Sequence, residues 1–129
     1  MRLPRILLVV PLLVAGMYLP AAGPAIAKPA AGAIGMVHQG FAETAVSVQC
    51  GQTLTLQNDS RWVHIIGPGK GGLLVPNKDV PISNRQLMAT NDVYTTGAWD
   101  VAGTFYLTCS VHPDMTVKVV VGGCCCTQT

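Results

Sequence analysis

The sequence predicts an all-β domain, a small β-sandwich, preceded by a signal peptide. Three observations carry the prediction. Apolar residues alternate with period two in several short runs, clusters of Gly, Pro, Asn and Asp separate those runs, and no segment keeps a helical period. Half of the 129 residues are hydrophobic and only 11% are charged, which excludes a disordered chain or a coiled coil and leaves room for one core.

The leader is read first. Arg2 and Arg5 make a short positive region, residues 6–19 (ILLVVPLLVAGMYL) are apolar, and Ala25-Ile26-Ala27 is a small-x-small cleavage site. Pro11 and Gly16 interrupt the apolar run, which is shorter than the roughly 20 residues of a membrane span. Residues 1–27 are therefore expected to be removed on export to the periplasm or the extracellular medium, leaving a mature chain without a membrane span. Arg2 and Arg5 leave with the leader, so six basic and six acidic residues remain. A neutral domain without basic runs has no electrostatic footprint for nucleic acid.

Residues 28–42 are read as an N-terminal arm, with 28–35 (KPAAGAIG) loose. The domain follows over 43–122. TAVSVQC (44–50) and TLTLQN (53–58) each alternate, and the Gly51-Gln52 turn between them predicts a hairpin. WVHII (62–66) is a third strand. From 67 to 92, Gly67-Pro68-Gly69, Gly71-Gly72, Pro76 and Pro81 leave only short apolar pieces. DVYTTGAWDV (92–101) supplies one or two strands, GTFYLTC (103–109) another and TVKVVV (116–121) the last. Short β-rich segments between turn signals imply two sheets around one core.

The five cysteines, at 50, 109, 124, 125 and 126, are an odd number with three at the end, unlike a disulfide framework. Pairing of Cys50 with Cys109 would consume a thiol. Cys50, in an alternating strand, is read instead as a small buried hydrophobe.

Cys109 ends one strand and Met115 precedes the next, so Cys109, His112 and Met115 share one tight loop, FYLTCSVHPDM (105–115). His64 is the candidate fourth ligand. Two imidazoles and a thiolate with a weak thioether form a type 1 copper site, whose mixed ligands suit both oxidation states. Structural zinc would take four Cys/His ligands and no thioether. A Cys109/His112 nucleophilic dyad lacks an orienting acid and an oxyanion hole. GPGKGG (67–72) lacks the length and the Lys-Ser/Thr ending of a phosphate loop, and is read as a flexible loop beside the site. His38, Met36 and Met88 are read as ordinary surface or core residues, and Asn58-Asp59-Ser60 also fits a glycosylation triplet.

GTFYLTCSVHPDMTVKVVV (103–121), with VSVQCGQTLTLQN and NDSRWVH (58–64) upstream, resembles the cupredoxins of the amicyanin and plastocyanin-like branch. The resemblance covers most of residues 44–121. It implies a Greek-key β-sandwich, one type 1 copper per chain bound by His64, Cys109, His112 and Met115, and no enzymatic turnover. It also implies a monomer that passes single electrons between donor and acceptor proteins docking near His112. Val111, Pro113, Pro68 and Leu73 are the expected apolar rim. The pattern differs at two positions: Ile65 follows the first histidine where Asn is common, and Val117 stands where Gly is frequent. The tail, 123–129, contains three adjacent thiols, Cys124, Cys125 and Cys126. These are read as a neutral extension, against copper delivery, storage or resistance as the alternative function.

Overall fold

The computed structural model describes residues 32–123, so the leader, Lys28 to Ala31 and Cys124, Cys125 and Cys126 lie outside the described residues. Among the described residues there are ten strands: β1 (Gly32–Val37), β2 (Gly40–Phe41), β3 (Ala45–Gln49), β4 (Leu54–Asn58), β5 (His64–Lys70), β6 (Leu73–Leu74), β7 (Gln86–Met88), β8 (Val93–Thr95), β9 (Gly103–Cys109) and β10 (Thr116–Gly122). No helix among them is long and apolar enough to cross a membrane.

The strands form two sheets. One runs β2-β1-β4-β8; the other runs β3-β10-β9-β5-β6, with β7 added beside β5. The period-two runs explain the sandwich. In β10, Val117, Val119 and Val121 point inward while Lys118 points out, and in β4 Leu54 and Leu56 are fully buried. Ile34, Met36, Ile66, Met88, Trp99 and Leu107 complete the core between the sheets. Each buried valine, leucine, isoleucine or methionine among these contributes about 1.5–3 kcal/mol on burial.

Three local expectations are corrected. Residues 32–41, assigned to an arm, are β1 and β2. β1 pairs in parallel with β4 from Gly32↔Leu54 to Met36↔Asn58, and buries Ile34 and Met36. Small Ala and Gly residues concealed an alternation that burial reveals.

Secondly, β3 and β4 are not a hairpin. β3 joins β10 in parallel, whereas β4 lies between β1 and β8 in the opposite sheet. Gly51, at φ +80°, turns an arch that is tied by Gln52 N–H to Gln49 O (2.9 Å) and Gly51 N–H to Trp99 O (2.8 Å). Alternation identifies the buried face of a strand, and two strands facing one core from opposite sheets alternate like a hairpin.

Thirdly, β5 continues through Gly67-Pro68-Gly69: Ile66, Gly67 and Pro68 face Cys109, Thr108 and Leu107 of β9, and Gly69 faces Leu74 of β6. Gly67 is required there because a Cβ would overlap the Asn84 carbonyl, and the Pro68 carbonyl accepts from Val75 N–H at 2.8 Å. Between 92 and 101 there is one strand, β8.

Candidate metal centre

His64 opens β5 and Cys109 closes β9, neighbouring strands of one sheet, so sheet register brings a residue 45 positions upstream to the thiol. His112 lies in the loop after β9, and Met115 immediately precedes β10. His64, Cys109 and Met115 are fully buried, and His112 is half-buried. Cys109 is free, so the pairing with Cys50 does not form. Cys50 is disulfide-bonded and half-buried against the core, which corrects its reading as a simple hydrophobe.

Buried polar groups fix the first histidine. Asn58 Nδ2 donates to the carbonyls of Trp62 (2.7 Å), Met88 (3.1 Å) and Ala89 (3.0 Å), which leaves its Oδ1 as the acceptor. That oxygen accepts from Ser60 N–H at 3.0 Å and from the Ser60 hydroxyl at 2.7 Å. The single Ser60 proton being committed to Asn58, its oxygen must accept from His64 Nε2–H, 2.9 Å away. The proton of neutral His64 is thus held on Nε2, and Nδ1 turns a lone pair toward Cys109 and His112.

The ligand loop is fastened through its backbone. Cys109 N–H donates to Met115 O (3.1 Å), Met115 N–H to His112 O (2.9 Å) and Ser110 N–H to Ile65 O (3.0 Å). The last bond joins the two ligand regions at the residue where the resemblance would have supplied an Asn side chain. A carbonyl performs the tie, so Ile65 can be apolar.

His64 Nδ1 and His112 Nδ1 are 3.2 Å apart, and Cys109 Sγ lies 3.7 and 3.8 Å from them. These three side chains form the potential metal-holding group among the described residues. The point equidistant from the three atoms is about 2.1 Å from each, within the span of metal–nitrogen and metal–thiolate bonds, so the residues fit an ion. Two lone pairs and a thiol converging in a buried pocket repel one another unless a cation or a proton lies between them. Burial, then the neighbouring imidazoles of His112 and His38, hold the His64 pKa below the ordinary 6.5, which keeps its Nδ1 available in mild acid.

Outside the triangle the surface mixes apolar, aromatic and polar side chains. Val111 and Leu73 are exposed, and Gln39, Val111, His112, Pro113 and Asp114 line a surface depression. Pro68 is buried, which removes it from the expected rim. His38, read as an ordinary surface residue, stacks on half-exposed Trp62 (4.8 Å between centroids, 9° between planes) and stands edge-on to His112 at 6.3 Å. Sequence reasoning also missed Asn58 and Ser60. The Asn-x-Ser-x3-His spacing was readable, but only tertiary contacts give it a role.

A β-sandwich carrying two imidazoles and a thiol at one end of its strands defines a small protein built around a soft-metal donor set. Its fold is that of the cupredoxins. A Cu(I) form of an amicyanin with one methionine replaced by alanine superimposes with a TM-score of 0.56 at 21% identity, over 71% of this chain and 82% of that one. Amicyanin from Paracoccus versutus superimposes with a TM-score of 0.55 at 21% identity, over 74% of this chain and 84% of that one. A reduced amicyanin with a proline replaced by phenylalanine gives 0.53 at 24% identity, over 71% and 82%. At these identities the likeness is one of fold. No protein-family model and no curated protein matches the sequence.

Proposed function

We propose that the chain is an exported type 1 copper protein that carries single electrons between redox partners. The observation that supports this most directly is the buried triangle of His64 Nδ1, Cys109 Sγ and His112 Nδ1, with sides of 3.2–3.8 Å. Met115, buried at the end of the same loop, would supply the weak thioether ligand. When bound there, copper supplies a reversible Cu(II)/Cu(I) couple that two nitrogens and a soft sulfur accommodate in both states.

The protein's own residues do the rest. Ser60 holds the His64 tautomer, and the Ser110–Ile65 bond keeps the loop against β5. Burial of Cys109 excludes water from the thiolate. Half-buried His112 is the contact point for donor and acceptor proteins, with Val111 and Pro113 beside it as the docking rim. Nothing in this scheme turns over a substrate, so the role is that of a carrier. Binding of the fold's metal by a rigid site favours electron transfer over copper delivery or storage, because small rearrangement speeds exchange.

The test is the absorption spectrum of the copper-loaded mature protein with and without Cys109→Ser. An intense thiolate-to-copper band at about 600 nm, lost in the variant, is expected. Folded, copper-bound protein without that band overturns the type 1 assignment, and several Cu(I) ions per chain would point to storage.

A further inference from the structure

The hairpin of β5 and β6, residues 67–74, is tied to the ligand loop by a device the scheme above does not use. Gly71 N–H donates to Thr116 Oγ1 (3.1 Å), and Gly72 N–H donates to Thr108 Oγ1 (2.9 Å). The two threonines are cross-strand partners in β9 and β10, with hydroxyls 3.0 Å apart. Thr108 is fully buried, and its hydroxyl also reaches Met115 O at 2.9 Å. That carbonyl already accepts from Cys109 N–H.

The proton pattern is determined. Met115 O can only accept, so the single Thr108 hydroxyl hydrogen makes that bond, and Thr116 O–H supplies the contact between the hydroxyls. The hairpin tip also rests directly on the loop. Gly72 has φ +80°, and a Cβ on it would lie 2.9 Å from Pro113, the neighbour of His112. Lys70 secures the hairpin's outer side, its Nζ 3.6 Å from the centre of the Tyr106 ring.

We infer that Thr108 is a positioning residue for the copper site: its hydroxyl couples the glycine hairpin to the Met115 backbone and so sets how the two sulfur residues are held. The inference rests on the copper assignment above. Thr108 precedes Cys109 and grips the carbonyl of Met115, so it acts on both sulfur residues without touching either side chain. Partners such as these tune a metal's potential by orienting what binds it. The hairpin thereby becomes a strap, and a load on its tip reaches the ligand loop through the buried Thr108 hydroxyl as well as through the close approach of Gly72 to Pro113.

The experiment compares Thr108→Val, which keeps the shape and removes the hydroxyl, with Thr108→Ser, which restores it, and Thr116→Val, which releases Gly71 and the contact between the hydroxyls but leaves Thr108 bound to Gly72 and Met115 O. In the copper-loaded protein, Thr108→Val is expected to keep a thiolate band but shift its energy and the midpoint potential. Thr108→Ser should return both to the starting values, and Thr116→Val should move them less. In the metal-free protein, the Gly72 amide should exchange hydrogen about tenfold faster in Thr108→Val than in Thr108→Ser. If Thr108→Val does not fold, the Ser and Thr116→Val variants still bear on the inference, because equal shifts in both would overturn it. Folded Thr108→Val with unchanged band, potential and Gly72 exchange would also overturn it. A parent protein lacking the thiolate band, but with Gly72 exchange altered as expected, would instead overturn the copper assignment and leave the strap standing.

Discussion

The two histidines of the site have the same chemistry in opposite surroundings. His64 is fully buried, its Nε2 proton is held by Ser60, and Ser60 is held by Asn58. His112 is half-buried in a loop, edge-on to an exposed His38, and among the described residues no hydrogen bond reaches its Nε2. A buried imidazole held through both ring nitrogens keeps one orientation, while one in a half-buried loop keeps an accessible edge. In the proposed scheme that difference divides holding from exchange between two residues of one type.

Removing the buried support should have the largest effect. Asn58→Ala leaves three carbonyls and the Ser60 donors without their partner, and should lower stability by about 3 kcal/mol or more in urea denaturation of the metal-free protein. Ser60→Ala is a narrower break. It leaves Nε2–H of His64 without its acceptor and should weaken copper binding about 10–100-fold in a competition titration, with His112→Ala as the comparison at the exposed side.

Acid probes the same contrast more gently. The folded pKa of His64 lies below the unfolded value of 6.5, so the unfolded chain binds more protons in the window between them. This contribution to metal-free stability is whole above pH 6.5 and declines as pH falls from there through the lowered folded pKa. Midpoints of denaturation measured at successive pH values check it, and a midpoint that rises on acidification through this window would contradict the buried, neutral His64.

The smallest structural effect is expected at the exposed end. Val111→Asp should change stability by less than about 0.5 kcal/mol and leave the absorption band in position, yet slow electron exchange with a partner severalfold in stopped-flow kinetics. Unchanged partner kinetics would move the docking surface away from His112.

Much of the candidate site was legible because its signals are local, and the structure brings His64, Cys109 and His112 together. Cys109, His112 and Met115 occupy seven consecutive positions between two recognisable strands, and His64 begins a third. What was hidden depends on the fold. Alternation in 44–58 identified inward residues but not the sheet to which each strand belongs, and glycine and proline in 67–69 suggested a break where packing against Asn84 instead demands a glycine within a strand. The contacts of Ser60, Thr108 and His38 are equally invisible in sequence, since a hydroxyl or an imidazole takes its partners from whichever group the folded chain brings beside it.

The position of β10 has a consequence for biogenesis. This last strand lies inside its sheet, between β9 and a parallel β3 more than 70 positions earlier, and buries Val117, Val119 and Val121. Without it β3 loses its hydrogen-bonded partner and the core one wall, so the sandwich cannot close on the ribosome until residue 122 has emerged. Synthesis therefore leaves a long interval in which the nascent polypeptide stays open, its valine-rich last strand still to be added.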